Sequence, residues 1–286
     1  MMAALHEAWR VLGVEFYKTR TKLRTYIGFA ALGIAIPLLL WAFHASHIER
    51  SSEFGNLPPM AGLLVVGSPV NGLFLVRIVM MALFVHVPFL ITLVAGDAVA
   101  GEANAGTLRL LCVRPPSRLS VLTAKFAVST LYCVALVFFL GAVTLGVGIA
   151  FFGHGPLLLA GSGITIVAES EGYARVALAL ALGAAAMTTV SSLAFLLSVL
   201  VTNPIGPIIG AMAVLIVCLV VSSTPLKVLE SIRPYVFTTY FPVWSRAFDA
   251  KLEWSLIVRD LSVLVGYTLG LYAAATFFFL RKDIVS

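Results

Sequence analysis

Residues Phe126 to Phe152, FAVSTLYCVALVFFLGAVTLGVGIAFF, run for 27 positions without a Lys, Arg, Asp, Glu or His. A helix needs roughly 20 apolar residues to cross the ~30 Å hydrocarbon core of a bilayer, so this run can cross with a tilt or project beyond it. Five further stretches read the same way: Tyr26 to Phe43, Gly72 to Ala95, Val176 to Val201, Ile205 to Val221 and Leu261 to Leu280. Pro204 and Pro207 make the second last of these the least regular, able to bend into a re-entrant form. The composition agrees, with 60% of the 286 residues apolar and 11% charged, against about 25% charged in a soluble domain. The expected fold is an all-α integral membrane protein, one transmembrane domain over residues 1–286 with six transmembrane helices.

The charges supply a direction. With the N-terminus in the cytoplasm, residues 1–24, 96–125, 202–204 and 281–286 face inward, as do both termini. The first, second and last of these carry +3, +2 and +1, the whole net charge of +6. This is the positive-inside pattern, although the external 224–260 segment holds five bases: Lys227, Arg233, Arg246, Lys251 and Arg259. The basic balance is therefore a sidedness signal. A nucleic-acid footprint would need a water-facing basic surface, and no nucleic-acid partner is expected.

Before the first span, Leu5, Ala8, Trp9, Leu12 and Phe16 share about a 100° arc at helical pitch, whereas Glu7, Arg10, Lys18 and Lys22 point elsewhere. Residues 1–24 are expected as an interfacial amphipathic helix, its bases toward anionic headgroups and Trp9 and Phe16 in the acyl boundary. The charged residues before the first apolar run are unlike a signal peptide, so this segment should be retained. Residues 224–260, rich in aromatics from Tyr235 to Trp254 and broken by Pro234 and Pro242, read as short helices dipping into the outer leaflet. They serve there either as an anchor or as a lid.

Several chemistries are absent. No Gly is followed by Lys, which removes the P-loop. His6-Glu7-Ala8-Trp9-Arg10 has Arg where a zinc motif needs a second His. Gly161-Ser162-Gly163, in a Gly-rich external loop, lacks the spacing of a nucleophile elbow. The three cysteines, Cys112, Cys133 and Cys218, offer neither a disulfide framework nor a CxxC pair. No catalytic residue, metal site or cofactor of this chain is expected. Two ionisable side chains inside the spans, Arg77 and His86, are candidates for a substrate pathway. Arg77 can also snorkel, and His86 can bond a carbonyl freed by Pro88. At about 100° per residue the two point to opposite sides of a helix. Gly206 to Gly210 and Gly266 to Gly270 are small-xxx-small pairs, expected to pack within the bundle.

The 96–125 loop is the most informative polar stretch. It reads as a helix extending below the second span, a break at Gly106, a short apolar-basic helix from Thr107 to Val113 and a stop at Pro115-Pro116. Ser117 then caps the third span. Such a helix, with Arg109, Arg114 and Arg118, suits docking to a soluble partner, or else is a solvated loop whose arginines only fix orientation.

Here the sequence resembles the permease subunits of type 2 ABC exporters. The resemblance rests on Gly101-Glu102, Gly106-Thr107-Leu108, Arg114-Pro115 and Ser117-Arg118 leading to Lys125. It continues in outline through an elbow helix, six spans, an aromatic segment and the Phe279-Leu280-Arg281-Lys282-Asp283-Ile284 ending. Ala103 to Ala105 stand where that family often carries a charge. The resemblance implies a complex of two permeases and two copies of an ABC ATPase subunit in a prokaryotic inner membrane, with ATP and Mg bound by the ATPase rather than by this chain. The second permease is expected to be a copy of this one. The ATPase-coupling residues would be Glu102, Gly106, Thr107, Leu108, Arg109, Arg114, Pro115 and Arg118. Two functions compete: export or flipping of an amphipathic substrate (lipid-like, antibiotic or peptide), or transmission of ATPase strokes to an envelope machine without solute transport.

Overall fold

The computed structural model describes residues 2–45, 70–107, 117–160 and 164–282. Helix α1 (Met2–Thr21) turns at Lys22 into α2 (Leu23–Ala45), and α3 (Gly72–Leu83), α4 (Val87–Ala95) and the short α5 (Ala100–Asn104) come next. The long α6 (Arg118–Phe152) leads through a hairpin, β1 (Leu157–Ala160) and β2 (Ile164–Val167), to α7 (Glu169–Leu200). Then come α8 (Ile205–Ser223), α9 (Lys227–Glu230), 3-10 turns at Arg233–Tyr235 and Phe237–Phe248, and α10 (Trp254–Arg281).

Helices α2, α6, α7, α8 and α10 are each long and apolar enough to cross a membrane, which makes this a helical membrane protein. The expected second span is a broken pair: α3 and α4 meet at 64° and pass the same test only together. The break follows from Pro88, which lacks an N–H and disfavours helical geometry just before it. There the chain tightens, His86 N donating to the Leu83 carbonyl at 2.8 Å.

One element departs from the all-helical expectation. The stretch read as a Gly-rich loop holds an antiparallel pair, with Leu157 opposite Val167 and Leu159 opposite Thr165. Ile164 to Val167 are four β-branched residues in a row, stiff at χ1 and suited to a strand. The hairpin is tied to the start of α3. Asn71 caps α3 by accepting from Phe74 N at 3.1 Å, and its Nδ2 donates to the Pro156 carbonyl at 2.6 Å.

Helix α7 is the centre of the bundle, with 72% of its apolar window buried against 22% for α2 and 17% each for α8 and α10. Its Gly183-Ala184-Ala185-Ala186 run lets neighbours approach closely. The α3–α6 crossing is tighter still: a Cβ on Gly72 would stand 2.7 Å from Ile149 Cγ1 and 3.0 Å from Ile149 N. Of the two small-residue pairs, a Cβ on Gly210 would stand 3.3 Å from Leu197 Cδ1, but a Cβ on Gly266 or Gly270 would meet no other element within 4 Å. The second pair does not serve packing among the described residues. The residues that fill the core beside α10 are the larger Ile257 and Leu264 on its other face.

The aromatic segment turns inward more than its composition suggests. Phe237, Phe241, Trp244 and Phe248 are buried and belong to the main core, stacked edge-on in the Phe237–Phe241 and Trp244–Phe248 pairs. Its end is pinned by charge. Buried Asp260 receives Arg246 Nε at 2.8 Å and Arg259 Nη2 at 2.8 Å, while Arg175 Nη1 donates to the Asp249 carbonyl at 2.5 Å.

Candidate functional site

At the end of the bundle opposite the hairpin, four side chains from three helices close a ring of ion pairs. Lys125 Nζ, on α6, lies 2.7 Å from Glu15 Oε2 of α1 and 2.7 Å from Glu102 Oε1 of α5. Lys18 Nζ, one turn along α1, completes it at 3.1 Å from Glu15 Oε1 and 3.2 Å from Glu102 Oε1. Two acids and two bases balance, as burial in a low-dielectric site demands. Glu15, Glu102 and Lys125 are 5%, 8% and 2% exposed. Beside the ring, Asp97 accepts from Lys22 Nζ at 2.9 Å and Arg24 Nη1 at 2.7 Å. A water-sized cavity of about 20 Å³ lies between the two clusters.

The position of Glu102 is set from afar. The expected continuous helix below the second span is interrupted at Gly96–Val99, and α5 starts anew. Its first free N–H groups have no cap from their own segment. Instead Ser198 Oγ, on α7, accepts from Val99 N at 3.0 Å and Ala100 N at 2.9 Å, which satisfies donors that a helix start leaves open. A Cβ at Gly101 would collide with the Asp97 carboxylate, so the Gly-Glu pair reads as clearance beside one acid and delivery of the next. Thr107 Oγ1 donates to the Glu102 carbonyl at 3.3 Å, and Gly106 between them has φ of 69°, a conformation glycine takes without a Cβ penalty.

Burial disfavours the charged form of Glu102, but Lys125 and then Lys18 outweigh that cost and hold its pKa below the ordinary glutamate value. For Lys18 burial again opposes the charge, and Glu102 and Glu15 outweigh it to hold its pKa above the ordinary lysine value. Both groups therefore stay ionised through neutral pH. Glu102 Oε2 is buried and meets no hydrogen-bond partner among the described residues.

The sequence-derived candidates fare unevenly. Glu102, Gly106 and Thr107 stand together. Ser117 caps α6 as expected, accepting from Ser120 N at 3.2 Å, and Arg118 beside it is exposed. Leu108, Arg109, Arg114 and Pro115 lie outside the described residues, as does the expected helix beyond Thr107. Lys125, read as the end of a loop, sits two turns inside α6, and Lys18 and Lys22, expected toward headgroups, turn inward to Glu15, Glu102 and Asp97. The reason is energetic: a buried carboxylate left unpaired costs far more than a lysine gains at a lipid surface. Nothing in the charge pattern singles out Glu15 or Asp97. On a helical wheel Glu15 falls next to Ala8, at the edge of the apolar arc, the one signal that could have placed it inward.

The pathway candidates stand apart. Arg77 is half-buried with its guanidinium 5.9 Å from the centre of the Phe248 ring, a cation–π pair. His86 is exposed in the α3–α4 break, its Nδ1 3.2 Å from the Ala82 carbonyl. Neither lines the apolar cavity of about 550 Å³ at that break, walled by Phe84 and Pro88, by Leu219 and Ser222 of α8, and by Thr238, Phe241 and Trp244. No group of three His, Cys, Asp or Glu able to hold a metal ion occurs among the described residues.

Residues 63–285 match the model of a family described as "Protein of unknown function (DUF2705)". No curated protein matches the chain.

Proposed function

We propose that this chain, which belongs to the DUF2705 family, is the membrane-spanning permease of an ATP-driven exporter of the type 2 ABC class, driven by a separate ATPase. The observation that carries this reading is the ion-pair ring. It locks α1, α5 and the foot of α6 into one body, with α5 leading directly into the loop whose motifs resemble a coupling region. A push on that loop would reach α6 and, through Ser198, the central α7, without being absorbed by a slack connection. Rigid-body transmission of this kind needs packed elements with discrete arrangements rather than deformable ones.

In this reading α3 and α4 together make the sixth crossing, the termini and the ring face the cytoplasm, and the break with its apolar cavity lies on the substrate path. An amphipathic substrate suits that cavity, whose walls are aromatic and aliphatic with hydroxyls at Ser222 and Thr238. The exposed apolar surfaces of α2, α8 and α10 leave room for a second permease, taken to be a copy of this chain.

The test is purification of the intact complex followed by reconstitution in vesicles. A Walker-motif ATPase should copurify, with substrate-stimulated hydrolysis that Glu102→Gln uncouples while the complex stays assembled. A chain that purifies without any ATPase, or a Glu102→Gln complex with undiminished coupling, would refute the reading. Hydrolysis without uptake of any lipid-like, antibiotic or peptide substrate would favour force transmission instead.

A further inference from the structure

Beside the ion-pair ring, a slot of about 220 Å³ opens between α1, α2 and α6. Phe16, Tyr26, Phe29, Leu131 and Ala135 form its apolar walls, and Arg20 stands with them at the α1–α2 junction. From Val128 to Ala135 the slot follows α6 for about 10 Å at ~1.5 Å per residue, so it runs from a basic mouth into an apolar depth.

The charges around it are unequal. Lys18, Lys22 and Arg24 are committed to Glu15, Glu102 and Asp97. Arg20, on the same two turns, is exposed and has no hydrogen bond or ion pair among the described residues. Phe16 and Tyr26, which line the slot on either side of the α1–α2 junction, are 47% and 51% exposed. Exposed aromatics beside a free base mark headgroup depth in a membrane protein, and a basic site between helices at that depth suits an anionic lipid head.

We propose that this slot holds one anionic phospholipid, its phosphate on Arg20 and one acyl chain along Phe29, Leu131 and Ala135. Charge complementarity selects the head and the apolar depth requires the chain, so free phosphate would gain nothing from the slot. The site needs only that the chain is embedded in a membrane and stands apart from the transport reading. A bound lipid would bridge α1 to α2 and α6, the helices flanking the ring.

The experiment is native mass spectrometry of the full chain released from nanodiscs containing equal phosphatidylglycerol and phosphatidylcholine. One phosphatidylglycerol should be retained. Arg20→Gln should reduce that retention about fivefold, the weight of one arginine near an anionic surface, and Ala135→Phe, which fills the slot, should abolish it. Arg10→Gln, on an exposed base away from the slot, should leave it unchanged, and melting temperatures compared across the variants confirm that each is folded. Equal retention of the two lipids, unchanged retention in Arg20→Gln, or displacement of the lipid by inorganic phosphate would overturn the proposal.

Discussion

The Lys125 ammonium lies 2.7 Å from the Glu102 carboxylate, the two side chains only 1% and 10% exposed. Removing one partner of such a pair strands the other, at a cost of about 3–5 kcal/mol, whereas replacing the set by apolar groups of similar size can be neutral. Lys125→Met should therefore lower the thermal midpoint in detergent strongly, and the triple variant Lys125→Met, Glu15→Leu, Glu102→Leu, which leaves the partly exposed Lys18 free to turn to water, should recover much of the loss. Tryptophan fluorescence melts measure both. A triple variant no more stable than the single one would show that the ring does not act as a unit.

The ring also predicts a pH profile. Glu102 has its pKa lowered on folding, so its contribution is present above the unfolded value and fades as pH falls through the folded one. Lys18 has its pKa raised, so its contribution is present below the unfolded lysine value and fades as pH rises through the folded one. Stability should form a plateau across neutral pH, with an acid limb below pH ~4 and an alkaline limb above pH ~10. Glu102→Gln should flatten the acid limb, and Lys18→Met the alkaline one.

Close packing at Gly72 gives a contrasting pair of variants. Gly72→Val places new atoms against Ile149, including its backbone nitrogen, which cannot yield as a side chain tip can. Overpacking of this kind costs about 1–3 kcal/mol. Gly266→Val meets nothing within 4 Å and should leave the melt of the single chain unchanged. If Gly266→Val instead disrupts assembly of the purified protein on size-exclusion chromatography, that face is a contact between copies.

At the other end of the bundle, Asp260 holds Arg246 and Arg259. Asp260→Leu strands Arg246 and should loosen the 237–248 segment from the core. Limited proteolysis is the readout, with faster cleavage near Arg246 and Lys251 expected in the variant, and unchanged cleavage rates would mean that the aromatic contacts alone hold the segment.

How legible these features are in the sequence depends on how local each one is. The crossing helices can be read from runs such as Phe126 to Phe152, because in lipid every backbone donor and acceptor must be satisfied within its own helix. Ser117 as a cap is legible for the same reason, its acceptor three residues from its donor. The break at Phe84–His86 is half legible: Pro88 announces a disturbance, but the sharp bend between α3 and α4 needs the packing of both halves against α7. The hairpin is hidden because its four β-branched residues stand beside the Gly161-Ser162-Gly163 sequence, in surroundings that read as a loop.

The sequence by itself determined that this is a helical membrane protein and where its apolar helices run. Only the tertiary structure decided that Glu15, Lys18, Glu102 and Lys125 share one buried ring, that Ser198 rather than a neighbour in sequence starts α5, and that Arg20, beside three paired bases, is left without a partner among the described residues. Helix formation in a bilayer is enforced residue by residue, whereas the ring, whose Glu15–Lys125 pair alone spans 110 positions, comes into being only when three helices have packed.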